Sequence, residues 1–261
     1  MKKIAVLTGL SAMLLTSAAG IAADKGPHWG YDGHSGPGHW GDLADAYATC
    51  KKGNAQSPVN IETSAVSGGH SAPRSELLFS YNAPAKEVVN NGHTIQVNMH
   101  SGSNIAVSGK RYNLKQFHFH SPSEHTVNGK HFDMVAHLVH TDEKGNLAVI
   151  GLMFKEGKEN KALKKIWAKL PGHSGGEHTI SALHMNPADL LPTSTAHYQY
   201  SGSLTTPPCS EGVNWNVLTK PVEASAEQIA AFTKLFAKSI RPVQAVNGRN
   251  IELNGGGLID G

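Results

Sequence analysis

Apolar positions along the chain recur mainly with a period of two. His93, Ile95, Val97 and Met99 alternate with Thr94, Gln96 and Asn98. Val213, Trp215 and Val217 alternate with Asn214 and Asn216. Such alternation predicts half-buried strands, because successive side chains on a strand point to opposite faces. From about Glu76 onward, short runs rich in Val, Ile, Phe and Tyr recur between Gly, Asn, Ser and Pro turns. Asn128-Gly129 and Lys144-Gly145-Asn146 suit hairpins between antiparallel neighbours. Helical spacing is confined to two stretches. In Glu159–Leu170, Ala162, Leu163, Ile166, Trp167 and Leu170 form one stripe, closed by Pro171-Gly172. Around 225–238, Ser225 and Gln228 make a capping-box pattern ahead of Ile229, Phe232 and Phe236. The pattern predicts a mainly β (α+β) domain: a large, twisted, predominantly antiparallel sheet with a few peripheral helices. Residues 24–41, rich in Gly, His, Trp and Pro, are expected to be irregular and packed by their aromatic rings.

The first residues break this pattern. Met1-Lys2-Lys3 is positive, an apolar stretch follows from Ile4 to about Thr16, and Ala18–Ala23 supply small residues. That is the layout of a secretory signal peptide over residues 1–23, leaving a domain over 24–261 and a periplasmic, exported product. The apolar stretch is shorter than the roughly 20 residues a membrane anchor needs, so no span is expected after cleavage. Without the leader, 21 basic residues face 20 acidic ones. A near-neutral chain with no basic run has no electrostatic footprint for nucleic acid. The two cysteines, Cys50 and Cys209, are an even count, which in an exported chain suggests one disulfide closing a long loop; two free buried thiols are the alternative. A homodimer is compatible with the sequence, which does not specify an oligomeric state.

The 16 histidines change the picture most. In Gln116-Phe117-His118-Phe119-His120, the two histidines share one strand face and the two phenylalanines the other. Phe132–His140 reads as a second strand with His137 in its middle. If the Asn-Gly turn between them makes the strands antiparallel partners, three imidazoles converge. Zinc suits three imidazoles with a fourth position left for water, although imidazole also suits copper and nickel. By spacing alone, an HxH pair is a weak signal.

The chain resembles the α-carbonic anhydrase family over roughly His28 to Arg249. The resemblance is carried by His28-Trp29-Gly30-Tyr31, Gln56–Ile61, Asn90-Asn91-Gly92-His93, Gln116–His120, Ser123-Glu124-His125, His137–His140, Tyr200–Cys209 (YSGSLTTPPC) and Arg241–Gln244. Leader and N-terminal pattern resemble the bacterial, periplasmic branch. The resemblance implies a Zn2+ enzyme interconverting carbon dioxide and bicarbonate, with His118, His120 and His137 as ligands. Thr205 matches the residue that accepts a hydrogen bond from zinc-held hydroxide and passes its own proton to Glu124, aiming the nucleophile. Its backbone N–H also matches a donor to a bicarbonate oxygen. His93 matches the proton shuttle, with Asn91 and Tyr31 helping to hold the intervening waters. Val139, Val149, Leu204, Val213 and Trp215 match the apolar wall for carbon dioxide, with Thr206 beside them at the substrate. Gln116 matches a partner that orients His118. His125 and Tyr200 match buried structural positions. Cys50 and Cys209 match a disulfide of bacterial members, tethering the loop that carries Thr205.

One position departs from the family. Two residues before the third histidine the family carries a glutamate; here it is Val135. Valine cannot accept the ring N–H of His137, and loss of such a partner typically costs about 10–100-fold in metal affinity or activity. Either water or another side chain takes over and zinc is held more loosely, or zinc occupancy fails and the chain is a zinc-poor, non-catalytic binding module. The first is preferred, since every other match is intact. A periplasmic metal buffer is a further rival, opposed by histidines that are scattered and not in a tract. Slow ester hydrolysis would be a side reaction of the same centre.

Overall fold

The computed structural model describes residues 27–68, 76–170, 178–183 and 185–255. The expected leader, His70 and the Pro171-Gly172 helix stop lie outside the described residues.

A 13-stranded sheet dominates the molecule. Through its centre run Ala85–Asn90, Ile95–Met99, Lys110–His120, Met134–Thr141, Leu147–Glu156, Glu211–Leu218 and His197–Ser203, in that spatial order. Most neighbours are antiparallel. The exception at the centre is Leu147–Glu156 beside Glu211–Leu218, which run parallel with Val149 opposite Trp215. A parallel pair needs a long crossover, and here it includes the helix Lys161–Trp167.

Both faces of the central strands are covered, which explains the almost unbroken apolar run Ala148–Phe154. On one face Phe117, Phe119, Leu138, Ile150 and Leu152 pack with Leu163, Ile166 and Phe232 of the two helices. Phe117 and Phe119 are fully buried, each contributing about 1.5–3 kcal/mol of apolar burial. On the other face Val135, Val149, Val213, Trp215 and Tyr200 form a second cluster. The histidines of the Lys110–His120 strand project toward this second face, by the alternation that sends Phe117 and Phe119 to the first.

The turns follow their chemistry. Asn128 and Gly129 both have positive φ (50° and 75°) and link bridged Val127 and Lys130, as a tight two-residue hairpin turn requires. In the Lys144–Asn146 turn, Asp142 Oδ1 accepts from the backbone N–H of Lys144 and Asn146. Ser225 caps Ala226–Leu235 with Gln228 in a complete capping box. The first helix is shorter than its apolar stripe. It runs Lys161–Trp167 under an Asn160 cap, and then tightens into i→i−3 bonds, Lys169 N to Ile166 O and Leu170 N to Trp167 O. The aromatic N-terminal segment forms short helical turns around fully buried Trp40, which packs edge-on against Trp29.

Cys50 and Cys209 form a disulfide across 159 residues of sequence. It ties the short helix Thr49–Lys52 to the end of the Thr205 loop. Replacing both cysteines with serine is expected to lower the unfolding free energy by about 2–5 kcal/mol, read from urea midpoints. An unchanged midpoint would show that the loop is held by other contacts alone.

Candidate metal centre and active-site cavity

Strand register brings the three histidines together. In the antiparallel pair of Lys110–His120 with Met134–Thr141, His118 lies opposite His137, and His120 opposite Val135. One nitrogen from each of His118, His120 and His137 lies within 4.8 Å of the others. The ring centroids are 4.8–5.4 Å apart.

Two of the rings have their orientation fixed from behind. His118 Nδ1 lies 2.9 Å from Gln116 Oε1, and His120 Nδ1 lies 2.7 Å from the carbonyl of Ser239. Each ring therefore keeps Nε2 for the centre. His120 Nε2 is buried without a hydrogen-bond partner, an unusual condition for a polar atom unless something binds there. His137 presents the other nitrogen: its Nδ1 is 3.8 Å from Glu124 Oε2, and His120 Nε2 is 3.6 Å from the same oxygen. Burial, then the neighbouring imidazoles, hold the pKa values of His118 and His137 well below the usual histidine range. Neutral imidazoles are the ligating form. Three ring nitrogens around one point, one of them an orphaned buried atom, fit a zinc ion.

Glu124 is fully buried beside this centre. Its Oε1 accepts from the backbone N–H of Arg241 at 2.9 Å. Burial pushes its pKa up; His120, the Arg241 N–H and the Thr205 hydroxyl pull it down. Its Oε2 has no partner of good hydrogen-bond geometry. Arg241 is itself buried, which lowers its pKa to about 10. Its guanidinium binds Gln56 Oε1 and the carbonyls of Ser57 and Cys50. One residue thus joins the carboxylate, the disulfide helix and the Gln56 segment.

The Thr205 loop is anchored at both ends. Leu204 N donates to Ser210 O, Cys209 N to Thr206 O, and the Trp215 indole to Ser203 O. Thr205 is buried and Thr206 half-buried. A cavity of about 140 Å³ opens above His118 and His120, lined also by Trp29, Tyr31, Asn91, His93, Gln116 and Thr206. A larger depression of about 650 Å³ around Lys110, Arg111 and Asp142 contains no histidine, so convergence of donors and not size marks the site. Val149, Val213 and Trp215 form one apolar cluster, with half-buried Val139 and Leu204 packed against it. None of these five lines the 140 Å³ cavity.

His93 does not sit on a strand end as alternation predicts; it lies in the turn before Ile95–Met99. Asn91 makes that turn: its side-chain oxygen accepts from the N–H of His93 and Thr94. The His93 ring stacks on Trp29, centroids 3.8 Å apart and planes within 7°. Burial and then the charge of nearby His28 lower its pKa. Tyr31 packs edge-on against Trp29 and Trp40, and burial, then Glu124, raises its pKa well above the phenol value. Sequence reasoning missed three partners: the Ser239 carbonyl, the Arg241 N–H and the Trp29 ring. Trp29 and Arg241 were visible as motif members without a role; a backbone carbonyl leaves no signal.

Fold and site together define a large mixed sheet bearing three convergent histidines that could hold a metal ion. The sequence profile of the family described as eukaryotic-type carbonic anhydrase matches residues 35–255, and the chain belongs to that family. It is 41% identical over 241 residues to a carbonic anhydrase of Pectobacterium atrosepticum, covering 92% of this chain and 96% of the relative. Among solved structures it resembles the α-carbonic anhydrase of Thermovibrio ammonificans, in complex with sulfanilamide, at 50% identity and a TM-score of 0.81, covering 87% of this chain and 99% of that one. Dioscorin complexed with ascorbate also shares the fold, at 29% identity and a TM-score of 0.79, covering 87% and 98% of the two chains.

Proposed function

We propose that this protein is a zinc enzyme catalysing the reversible hydration of carbon dioxide to bicarbonate and a proton. The observation that carries the proposal is the convergence of three ring nitrogens within 4.8 Å beside a buried carboxylate. His118 and His120 would hold zinc through Nε2, and His137 through Nδ1. When bound, zinc acidifies a water at its open position to near-neutral pKa, a general property of catalytic zinc sites for which carbonic anhydrase is the standard example and not a value derived from these residues.

The residues around it supply orientation and proton transfer. The Thr205 hydroxyl donates a hydrogen bond to Glu124, so Thr205 Oγ1 has lone pairs free to accept from the attacking oxygen and aim it. The Thr205 backbone N–H holds a product oxygen, and Thr206 borders the substrate. Carbon dioxide, which has no net dipole, is assigned to the apolar cluster of Val139, Val149, Leu204, Val213 and Trp215, which does not line the 140 Å³ cavity but packs against the His137 ring through Trp215. Each hydration releases one proton, and His93 is the group that carries it to buffer, through waters bordered by Tyr31 and Asn91. Its depressed pKa favours release at neutral pH, and the Trp29 stack holds the ring at the cavity mouth.

Replacing His93 with alanine is expected to lower kcat about a hundredfold while leaving kcat/KM for carbon dioxide nearly unchanged. Small imidazole buffers should restore the rate. An unchanged kcat in weak buffer would remove His93 from the pathway.

We also propose that residues 1–23 direct export and that 24–261 act as the mature enzyme in the periplasm. The disulfide supports an oxidising compartment, and among the described residues no helix is long and apolar enough to cross a membrane. Stopped-flow hydration of carbon dioxide tests the function. Fast, sulfonamide-sensitive hydration is expected; none by zinc-loaded protein would refute it.

A further inference from the structure

Behind two of the three histidines stands an acceptor, Gln116 Oε1 or the Ser239 carbonyl. Behind His137 there is none. Its Nε2 is buried and has no hydrogen-bond partner. A neutral imidazole that gives its Nδ1 lone pair to a metal carries its proton on Nε2. That N–H is a buried donor, which destabilises the site if nothing accepts it. Val135, on the same strand face, is fully buried in the apolar cluster and cannot accept.

A second ring nitrogen in this neighbourhood also lacks a partner: His125 Nδ1. The His125 ring stands edge-on to His137, with centroids 6.2 Å apart and planes at 81°. Both rings pack against Trp215. The other nitrogen of His125 lies 2.6 Å from Tyr200 Oη, and Tyr200 Oη lies 2.8 Å from Ser57 Oγ, where either hydroxyl can donate.

We infer that His125 is the positioning residue for the third ligand: its Nδ1 lone pair, reached through one water, receives the hydrogen bond that His137 Nε2–H donates. With ring centroids 6.2 Å apart the two nitrogens are beyond direct hydrogen-bond reach, and the proposed water would bridge them with two bonds of about 2.9 Å each. Two ring nitrogens give that water the minimum of polar partners a buried water needs. The direction of the chain follows. His137 Nε2–H donates to the water, and the water donates to His125 Nδ1. His125 Nε2–H donates to Tyr200 Oη, and Tyr200 donates to Ser57 Oγ. A polar chain of two aromatic residues and a serine stands in for the carboxylate that Val135 cannot supply. This rests on the proposed binding of zinc by His137 Nδ1.

Nitrogen-15 NMR of histidine-labelled, zinc-loaded protein reads the arrangement directly. His125 should show an unprotonated Nδ1 and a protonated Nε2. Val135→Glu should reverse that tautomer, because a carboxylate between the rings takes a proton from both. The same substitution should lower the zinc dissociation constant about 10–100-fold, measured against a chelator. His125→Phe should weaken zinc by about tenfold or more with Val135 present, and far less beside Val135→Glu. A protonated His125 Nδ1 in the zinc-loaded protein overturns the inference, as does a zinc affinity that Val135→Glu leaves unchanged. His137 resonances unmoved by zinc would instead refute the metal site itself. Should His125→Phe fail to fold, the tautomer measurement on the unaltered protein still decides.

Discussion

Replacing His120 with alanine is expected to weaken zinc binding several hundredfold and to abolish carbon dioxide hydration at stoichiometric metal. Structural zinc sites with four protein ligands bind with about 10–16 kcal/mol, or about 2.5–4 kcal/mol per ligand, a factor of roughly 70 to 850 in Kd, and that scale is carried over to His120. His120 is the sharpest choice of the three. Its Nε2 is an orphaned buried atom 3.6 Å from Glu124 Oε2, and its other nitrogen is already committed to the Ser239 carbonyl. Truncation removes a ligand and cannot be offset by a ring flip. The fold should survive, because His120 belongs to the site face while Phe117 and Phe119 anchor the strand in the main core. Chelator competition, with a denaturation curve as control, checks both parts. A zinc affinity close to that of the unaltered protein would take His120 out of the ligand set.

Thr205→Val should leave zinc binding intact and lower kcat/KM about a hundredfold. Valine keeps the shape of threonine and removes only the hydroxyl. Lost with it would be the proposed donor to Glu124 and the acceptor proposed to aim the attacking oxygen. Loss of one preorganised partner of the reacting oxygen typically costs about 10²–10³. The loop itself is held by Leu204 N to Ser210 O, Cys209 N to Thr206 O and the disulfide, none of which uses the Thr205 hydroxyl. The two substitutions therefore separate metal binding from orientation. Equal losses of zinc and activity in Thr205→Val would mean that the hydroxyl serves the metal centre's structure and not its chemistry.

Legibility of the site in the sequence depended on how local each signal is. Convergence of His118 and His120 with His137 follows from two short-range facts, the alternation of a strand and the Asn128-Gly129 turn, and the observed register sets His118 opposite His137. Capping by Ser225 and Gln228 is equally local. The parallel pairing of Leu147–Glu156 with Glu211–Leu218 was not legible, because it joins strands separated by a whole crossover and alternation does not distinguish parallel from antiparallel neighbours. Nor could apolar spacing tell the cluster around Trp215 from the main core, since both faces of the central strands are buried. Helix length was overread: Leu170 continues the apolar stripe, yet the backbone has already tightened after Trp167. Ser239 supplies only a carbonyl, and its position depends on a chain reversal far from His120 in sequence. The departure at Val135 was legible as a missing acceptor; which neighbouring ring lacks a partner required the packing of His125 against Trp215.

The proposed function depends on a catalytic zinc centre held by His118, His120 and His137. Its most direct test is a titration of metal-free protein with zinc, reading bound metal and carbon dioxide hydration on the same sample. Activity is expected to rise in proportion to bound zinc and to saturate at one ion per chain. Saturation at one zinc without hydration, or hydration that does not depend on zinc, would contradict it.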